Sequence, residues 1–148
     1  MKLNNIKLIV ILCATAFISC EQKVLEKCDV VVNQDIATKD GKRYHGTCLI
    51  YTQDTILYRK LTYKRGYLRK EIAYYPTNGA IEYIGFRKKG KINGEFNSFY
   101  ENGEKSIEGN VDMGIFIGEW RYYDDDGTLN KIVKYDEKGT ETETINMK

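Results

Sequence analysis

This 148-residue sequence has 21 Asp and Glu but a single His, and none of its acid–base or metal-binding residues belongs to a recognisable catalytic set. His45 is the only histidine, and a lone histidine beside a glycine is more typical of a surface position than of a catalyst. The acidic run at 124–126 precedes Gly127 but lacks the spaced ligands and the distant glutamate of a calcium loop, so we interpret it as a turn. The stretch from Gly109 to Gly118 lacks the Gly-Lys-Ser/Thr ending of a phosphate loop. We therefore expect no catalytic residue, no metal site and no cofactor.

The amino terminus has the pattern of a secretory signal. Lys2 and Lys7 precede an uncharged apolar run at 8–18, and these 11 residues are too few to cross a bilayer. A membrane-spanning helix needs roughly 20. We predict a signal peptide over residues 1–19.

The end of that run, Phe17-Ile18-Ser19-Cys20, resembles the lipobox of bacterial lipoproteins, with Phe17 where leucine is usual. The resemblance implies that Cys20 becomes the lipid-bearing first residue of the mature chain. It also implies a membrane-anchored location at the bacterial cell envelope, at the outer membrane or cell surface rather than in the cytoplasm. An ordinary signal peptide is the alternative.

Export leaves Cys28 and Cys48 in a compartment where disulfides persist, so a bridge between them is one reading and two separate thiols the other. Loss of Lys2 and Lys7 leaves 21 basic against 21 acidic residues, which removes a bulk-charge argument for nucleic-acid binding. The charge is uneven along the chain. Residues 56–91 hold ten Lys and Arg against two acids, whereas residues 92–148 hold thirteen acids against six bases. Such segregation could steer a charged partner, although solvated strand faces give the same pattern.

The stretch at 94–120 shows that the chain is a repeat, because Gly94-Glu95-Phe96 returns as Gly118-Glu119-Trp120 after 24 residues. Units at 46–69, 70–93, 94–117 and 118–141 align in columns, one of which holds Cys48, Ile72, Phe96 and Trp120. One column is wholly aromatic, and another ends a turn in the glycines of three units, Gly79, Gly103 and Gly127. A second Gly-containing turn falls in the middle of each unit, so each unit reads as two strands joined by short turns.

This pattern predicts an all-β fold, an antiparallel up-and-down meander of about eight strands built from 24-residue β-hairpin repeats. We place the strands near 44–51, 56–63, 67–75, 80–87, 91–100, 104–111, 115–123 and 128–135. The expected organisation is a signal peptide at 1–19, a linker and short first strand at 20–43, the repeat domain at 44–139 and a frayed polar tail at 140–148.

The unit Gly-Glu-aromatic followed by an aromatic residue and a turn ending in glycine resembles the MORN-variant repeat. The residues that show this resemblance are Gly94-Glu95-Phe96 with Phe99 to Gly103, and Gly118-Glu119-Trp120 with Tyr123 to Gly127. Bacterial lipoproteins with such repeats are similar to the YwqK-type antitoxin family. The resemblance implies a hairpin-repeat fold and, by analogy, a partner of the toxin class.

Aromatic side chains are the best candidates for a binding surface. If one sheet face is uncovered, Tyr75, Phe99, Trp120 and Tyr123 would contact a protein or stack on sugar rings, the alternative being that they form the core. The first functional hypothesis is a lipid-anchored, non-catalytic protein-interaction module with an unidentified protein partner. Toxin neutralisation and glycan binding are the alternatives, and an enzyme comes last.

Overall fold

The computed structural model describes residues 25–26, 30–52 and 56–147. These ranges form a single all-β sheet. Within them, no helix has the length and apolarity that a membrane crossing requires. The strands of the described ranges are β1 Leu25–Glu26, β2 Val31–Asn33, β3 Ile36–Lys39, β4 Lys42–Arg43, β5 Gly46–Tyr51, β6 Leu57–Lys64, β7 Tyr67–Tyr74, β8 Ile81–Lys88, β9 Lys91–Phe99, β10 Lys105–Asp112, β11 Ile115–Tyr123, β12 Leu129–Tyr135 and β13 Glu141–Asn146.

The sheet is an antiparallel up-and-down meander, as the repeat predicts. From β5 to β13 each strand pairs with the next strand in the chain, and β1 pairs with β5 at the far edge. The eight predicted strands correspond to β5 to β12, with ends that differ by only one or two residues. Because strand order follows chain order, neighbouring stretches of sequence are also neighbours in space.

Turns that end in glycine connect the strands at both ends of the sheet, where successive strands begin and finish. At one end of the strands are the two-residue turns Arg65-Gly66, Lys89-Gly90 and Met113-Gly114, whose residues all have positive φ. Positive φ at both positions gives the turn the twist that adjacent antiparallel strands need. The longer turns at the opposite end of the strands contain Gly79, Gly103 and Gly127, with φ of +73°, +90° and +80°. The predicted role of these three glycines is therefore confirmed.

Residues before the repeat form more structure than a linker and one short strand. Strands β2, β3 and β4 form two successive hairpins, and β3 also pairs with β7 at Ile36 and Tyr67. The Ala37 amide donates to the Gly66 carbonyl at 2.7 Å, and the Gly66 amide donates to the Tyr44 carbonyl at 2.6 Å. This attachment creates a small core of Val30, Ala37, Cys48 and Tyr63, covered by Tyr44, Leu61 and Leu68.

The carboxyl-terminal tail is not frayed, so that expectation is wrong. Residues Glu141–Asn146 form β13, which pairs with β12, and Lys134 on β12 makes a 2.7 Å ion pair with Glu143. The turn before β13 is fixed by the Asp136 side chain, which accepts from the amides of Lys138 and Thr140. Five of the six β13 residues are exposed, so this edge strand needs no alternating apolar pattern and gives none.

Side chains of the longer turns link one repeat to the next. The Tyr75 hydroxyl donates to the Phe99 carbonyl at 2.8 Å, and the Tyr100 hydroxyl donates to the Tyr123 carbonyl at 2.7 Å. In parallel, the Asn78 amide donates to the Glu101 carbonyl and the Asn102 amide to the Asp125 carbonyl, both at 2.6 Å. In the last unit the corresponding positions are Asp124 and Asp126, which follow Tyr100 and Asn102 by 24 residues. We call this row of contacts the turn ladder.

Candidate interaction surface

Cross-strand register assigns each side chain to one of two faces, because residues directly opposite each other share a face. Face 1 is defined by the opposed row Cys48, Leu61, Glu71, Gly85, Phe96 and Gly109. Face 2 is defined by the adjacent row Leu49, Lys60, Ile72, Ile84, Asn97, Glu108, Arg121, Ile132 and Ile145. Most of the buried strand residues lie on face 1.

Face 1 holds a buried charge network centred on Glu71, whose side chain is 3% exposed. Arg59 donates to one carboxylate oxygen at 2.6 Å and Arg87 to the other at 2.7 Å, while the Tyr83 hydroxyl donates at 2.7 Å. Burial opposes the charged form of Glu71, but the hydrogen bonds from Tyr83 and Arg87 and the charges of both arginines outweigh it and lower its pKa. Burial, followed by the bond to Glu71, raises the pKa of Tyr83. Glu71 therefore stays ionised as a structural anchor between β6, β7 and β8.

An aromatic cluster continues the same face toward the carboxyl terminus. Trp120 stacks on Phe116 with ring centroids 4.0 Å apart and on Phe96 at 5.9 Å, and Tyr135 meets both Trp120 and Phe116 edge-on. The Trp120 indole N–H donates to the Asn110 carbonyl at 3.2 Å. Trp120 is only 2% exposed, so it fills the core of this half of the sheet.

The four aromatic residues predicted as one binding surface do not lie together. Trp120 is on face 1 and buried, whereas Phe99 and Tyr123 lie on face 2, and Tyr75 lies in a longer turn of the ladder. The Tyr123 hydroxyl donates to Glu108 at 2.5 Å, and burial together with this bond raises the pKa of Tyr123 to about 12. Phe99, Tyr75 and Tyr123 are all half-buried. The expected shared aromatic platform is therefore corrected: these side chains serve packing and the ladder.

The alignment of the repeat columns also needs one correction. The turn after Tyr75 closes on Ala80, whereas the equivalent turns close from Tyr100 to Glu104 and from Asp124 to Thr128. This extra residue makes the structural step from Tyr75 to Tyr100 25 residues instead of 24. Consequently Glu71, and not Ile72, occupies the row that Phe96 continues on face 1.

A groove of about 380 Å³ crosses β9, β10 and β11, and we call it the glycine groove. Its lining residues are Asn93, Gly94, Asn110, Val111, Asp112, Ile117 and Gly118. Gly94 and Gly118 stand at φ +101° and +69°, in the first column of the repeat. Both positions combine a backbone conformation that side chains disfavour with an open floor. Sequence reasoning missed this groove, and the signal for it was the Gly of each Gly-Glu-aromatic triplet.

Half-exposed apolar side chains surround the glycine groove. Ile115 is 43% exposed on the same strand and face as the groove residue Ile117, and Phe116 is 44% exposed. Phe86, 37% exposed, lies 3.9 Å from where a Cβ on Gly94 would stand. The carboxylates nearest in register are those of Asp112, which accepts from Asn93 at 2.9 Å, and Glu95, which is opposite Asn110. The groove is thus an apolar trough with acidic neighbours.

Basic side chains cluster at the end of the sheet where the two-residue turns lie. We call the set the basic end; it comprises Lys39, Lys42, Arg43, Lys64, Arg65, Lys88, Lys89 and Lys91, all exposed. The turns touch one another, since a Cβ on Gly66 would meet Arg43 and one on Gly90 would meet Asp35. Among the described residues, no member of the basic end forms an ion pair with an acid.

The remaining predicted chemistry falls as follows. His45 is exposed, and the part of the chain that the structure describes contains no group of His, Cys, Asp or Glu residues placed to hold a metal ion. Cys48 is disulfide-bonded and buried. Cys20 and Cys28 lie outside the described residues, so lipid attachment and the Cys28–Cys48 pairing stay predictions. No protein-family model, curated protein or solved structure matches the chain.

Proposed function

We propose that this chain is a non-catalytic protein-interaction module, anchored at the bacterial cell envelope by lipid on Cys20. The anchor rests on the signal-like amino terminus and its lipobox resemblance. The interaction role rests on the glycine groove, which is the observation that carries the proposal.

The glycine groove suits a protein ligand because it is open and combines apolar with polar lining. Asn93, Asn110 and Asp112 supply polar atoms around Val111 and Ile117, which is the mixture that orients a ligand within an apolar site. Ile115 and Phe86, both exposed on face 2, extend the apolar area beyond the groove. Contiguous exposed apolar area on a soluble domain is typical of an interaction site.

The glycine groove arises from the repeat, because the first residue of two repeated triplets lines it. Each Gly of the triplet removes a side chain where the strand register shifts, two residues before an aromatic residue of the core. By register, Gly94 lies opposite Val111 and Gly118 opposite Tyr135, on the same face as Phe96 and Trp120. The groove is therefore lined by these two gaps in the packed face together with Asn110, Asp112 and Ile117 from face 2.

Affinity capture from envelope extracts tests the role. The bait is the chain from Glu21 onward, which keeps every described residue, with bound proteins identified by mass spectrometry. A variant with Phe86→Gln and Ile115→Gln should lose at least tenfold of the specific partner, because both exposed side chains border the groove. Capture that is equal for wild type and variant would refute the groove.

The matched control carries Val31→Gln and Val32→Gln. These residues are more exposed, at 65% and 57%, and lie on β2, away from the groove. Capture should be unchanged. Identification of one toxin-like protein would assign the module to neutralisation, as the family resemblance implies.

Metabolic labelling with a palmitate analogue tests the anchor separately. Wild type should be labelled and a Cys20→Ser variant should not. An unlabelled wild type would remove the lipid anchor from the proposal and leave the groove unaffected.

A further inference from the structure

We infer that the glycine groove accepts the basic end of a second copy of this chain, so that the protein associates with itself. This deepens the proposed interaction function by naming the partner, and it rests on that function. It follows from the complementary chemistry of the groove and of the basic hairpin turns.

The glycine groove is built to receive a lysine or arginine side chain. Such a side chain has an apolar stem and a charged tip. Ile117 offers apolar contact for the stem, while the Asp112 carboxylate and the side-chain oxygens of Asn93 and Asn110 can accept from the tip. Glu95, exposed on the same face and opposite Asn110, adds a second negative charge.

The basic end supplies cations that lack an acidic partner within the described residues. It has eight exposed Lys and Arg on touching hairpin turns, where only Asp35 and Asp40 are acidic. The two-residue turns are also narrow, so a turn such as the one that begins at Lys64 presents few side chains at once. A narrow cationic projection is complementary to an open trough bordered by carboxylates.

The same molecule cannot bring its β6–β7 turn into its own groove. The groove crosses β9 to β11, and the paired strands β7 and β8 separate it from that turn. Neighbouring strands lie about 4.8 Å apart in a continuous hydrogen-bonded ladder, which fixes this separation. Contact between the β6–β7 turn and the groove therefore requires a second copy.

Sedimentation velocity of the chain from Glu21 onward, at increasing concentration, tests the inference. Wild type should associate, and the dissociation constant should rise at least tenfold between 50 mM and 500 mM NaCl, because salt screens exposed charges. A groove variant, Glu95→Lys with Asp112→Lys, and an end variant, Lys64→Glu with Lys88→Glu, should each remain monomeric alone. All four positions are exposed, and circular dichroism checks that each variant folds.

Mixing the two variants is the decisive step. The groove variant keeps its basic end and the end variant keeps its groove, so an equimolar mixture should form heterodimers. A control with Glu101→Lys and Glu137→Lys carries the same charge change as the groove variant at exposed sites elsewhere and should associate like wild type.

Two results would overturn self-association. One is a wild type that stays monomeric at every concentration and salt; the other is a mixture that stays monomeric while wild type associates. If wild type is monomeric but Phe86→Gln with Ile115→Gln still abolishes capture of another protein, the interaction function stands and only the second copy is excluded. If both tests fail, the groove is not a binding site.

Discussion

Replacing Gly109 with alanine should destabilise the fold, whereas the same replacement at Gly85, one repeat earlier, should not. Both glycines lie buried on face 1, and neither needs positive φ. They differ in what an added methyl group would meet. At Gly109 the new Cβ would stand 2.5 Å from Cε2 and 2.7 Å from Cγ of Trp120, whereas at Gly85 the nearest side-chain atoms, those of Phe96 and Tyr83, are 4.0 Å away.

The magnitude follows from how firmly Trp120 is held. Carbon atoms in contact prefer about 3.5–4.0 Å, so the indole must move by about 1 Å. Phe116 stacked at 4.0 Å and the bond to the Asn110 carbonyl oppose that movement. Overpacking of this kind costs about 1–3 kcal/mol. Alanine also makes the unfolded chain less flexible than glycine does, which offsets about 0.4–1 kcal/mol of this cost. The free energy of unfolding should therefore fall by about 1–2 kcal/mol for Gly109→Ala, while Gly85→Ala should be neutral or slightly stabilising.

Urea denaturation followed by circular dichroism measures both free energies of unfolding. A double-mutant cycle with Trp120→Leu supplies the control, because removing the indole should abolish most of the cost of Gly109→Ala. Equal effects at Gly85 and Gly109, or a cost that persists in the Trp120→Leu background, would refute the reasoning.

Three further predictions concern Glu71, the turn ladder and Cys48. Glu71→Gln should cost about 2–4 kcal/mol, because it removes the charge that two arginines share, whereas exposed Glu95→Gln should stay within about 0.5 kcal/mol. The folded-state pKa of Glu71 is depressed, so its contribution is present above the unfolded value of 4.5 and disappears as pH falls through the folded pKa; the urea midpoints of wild type and Glu71→Gln should converge over that range. Asn102→Asp should cost about 1 kcal/mol, because it removes the donor to the next turn. Titration of the unreduced chain from Glu21 should find no free thiol at Cys48.

Each of these has an outcome that contradicts it. A Glu71→Gln variant as stable as wild type at pH 7 would show that the ion pairs contribute nothing. A constant difference between the two proteins down to pH 2 would remove the pH argument. An Asn102→Asp variant with an unchanged urea midpoint would mean that the turn ladder is energetically neutral, and one reactive thiol would contradict the bonded Cys48.

The repeat predicts the meander because its signals are local. Glycines at fixed spacing mark the turns, and short turns force neighbouring strands to pair, so β5 to β12 follow from the sequence alone. The hairpins of β2 to β4 and the edge strand β13 fall outside the period. They are stabilised by long-range contacts, such as Ala37 with Gly66, or by exposed backbone pairing, which leave no periodic apolar pattern.

The functional surface was harder to predict for two reasons. Trp120 and Tyr123 are three residues apart on β11, so their side chains point to opposite faces. In addition, the longer turn after Tyr75 moves every residue before it by one place relative to the 24-residue columns, and a shift of one place changes the face. The 24-residue columns grouped Ile72 with Phe96 and Trp120, although the longer turn after Tyr75 gives that place to Glu71. A clue was present in the pairs Tyr74-Tyr75 and Phe99-Tyr100, which are 25 residues apart. The groove depends on backbone conformation at Gly94 and Gly118, which composition does not reveal.

The turn ladder has a consequence for how many units such a chain can contain. The units at 70–93 and 94–117 each offer a hydroxyl and an amide N–H to the carbonyls of the next unit, whereas Asp124 and Asp126 end in carboxylates that only accept hydrogen bonds when ionised. The turn at 124–127 therefore lacks the two donors by which the earlier turns bond to the next unit. Duplicating the unit that contains Tyr100 and Asn102 would lengthen the protein with every new junction bonded, whereas duplicating the last unit would place two acceptors against carbonyl oxygens and halt the growth of the array.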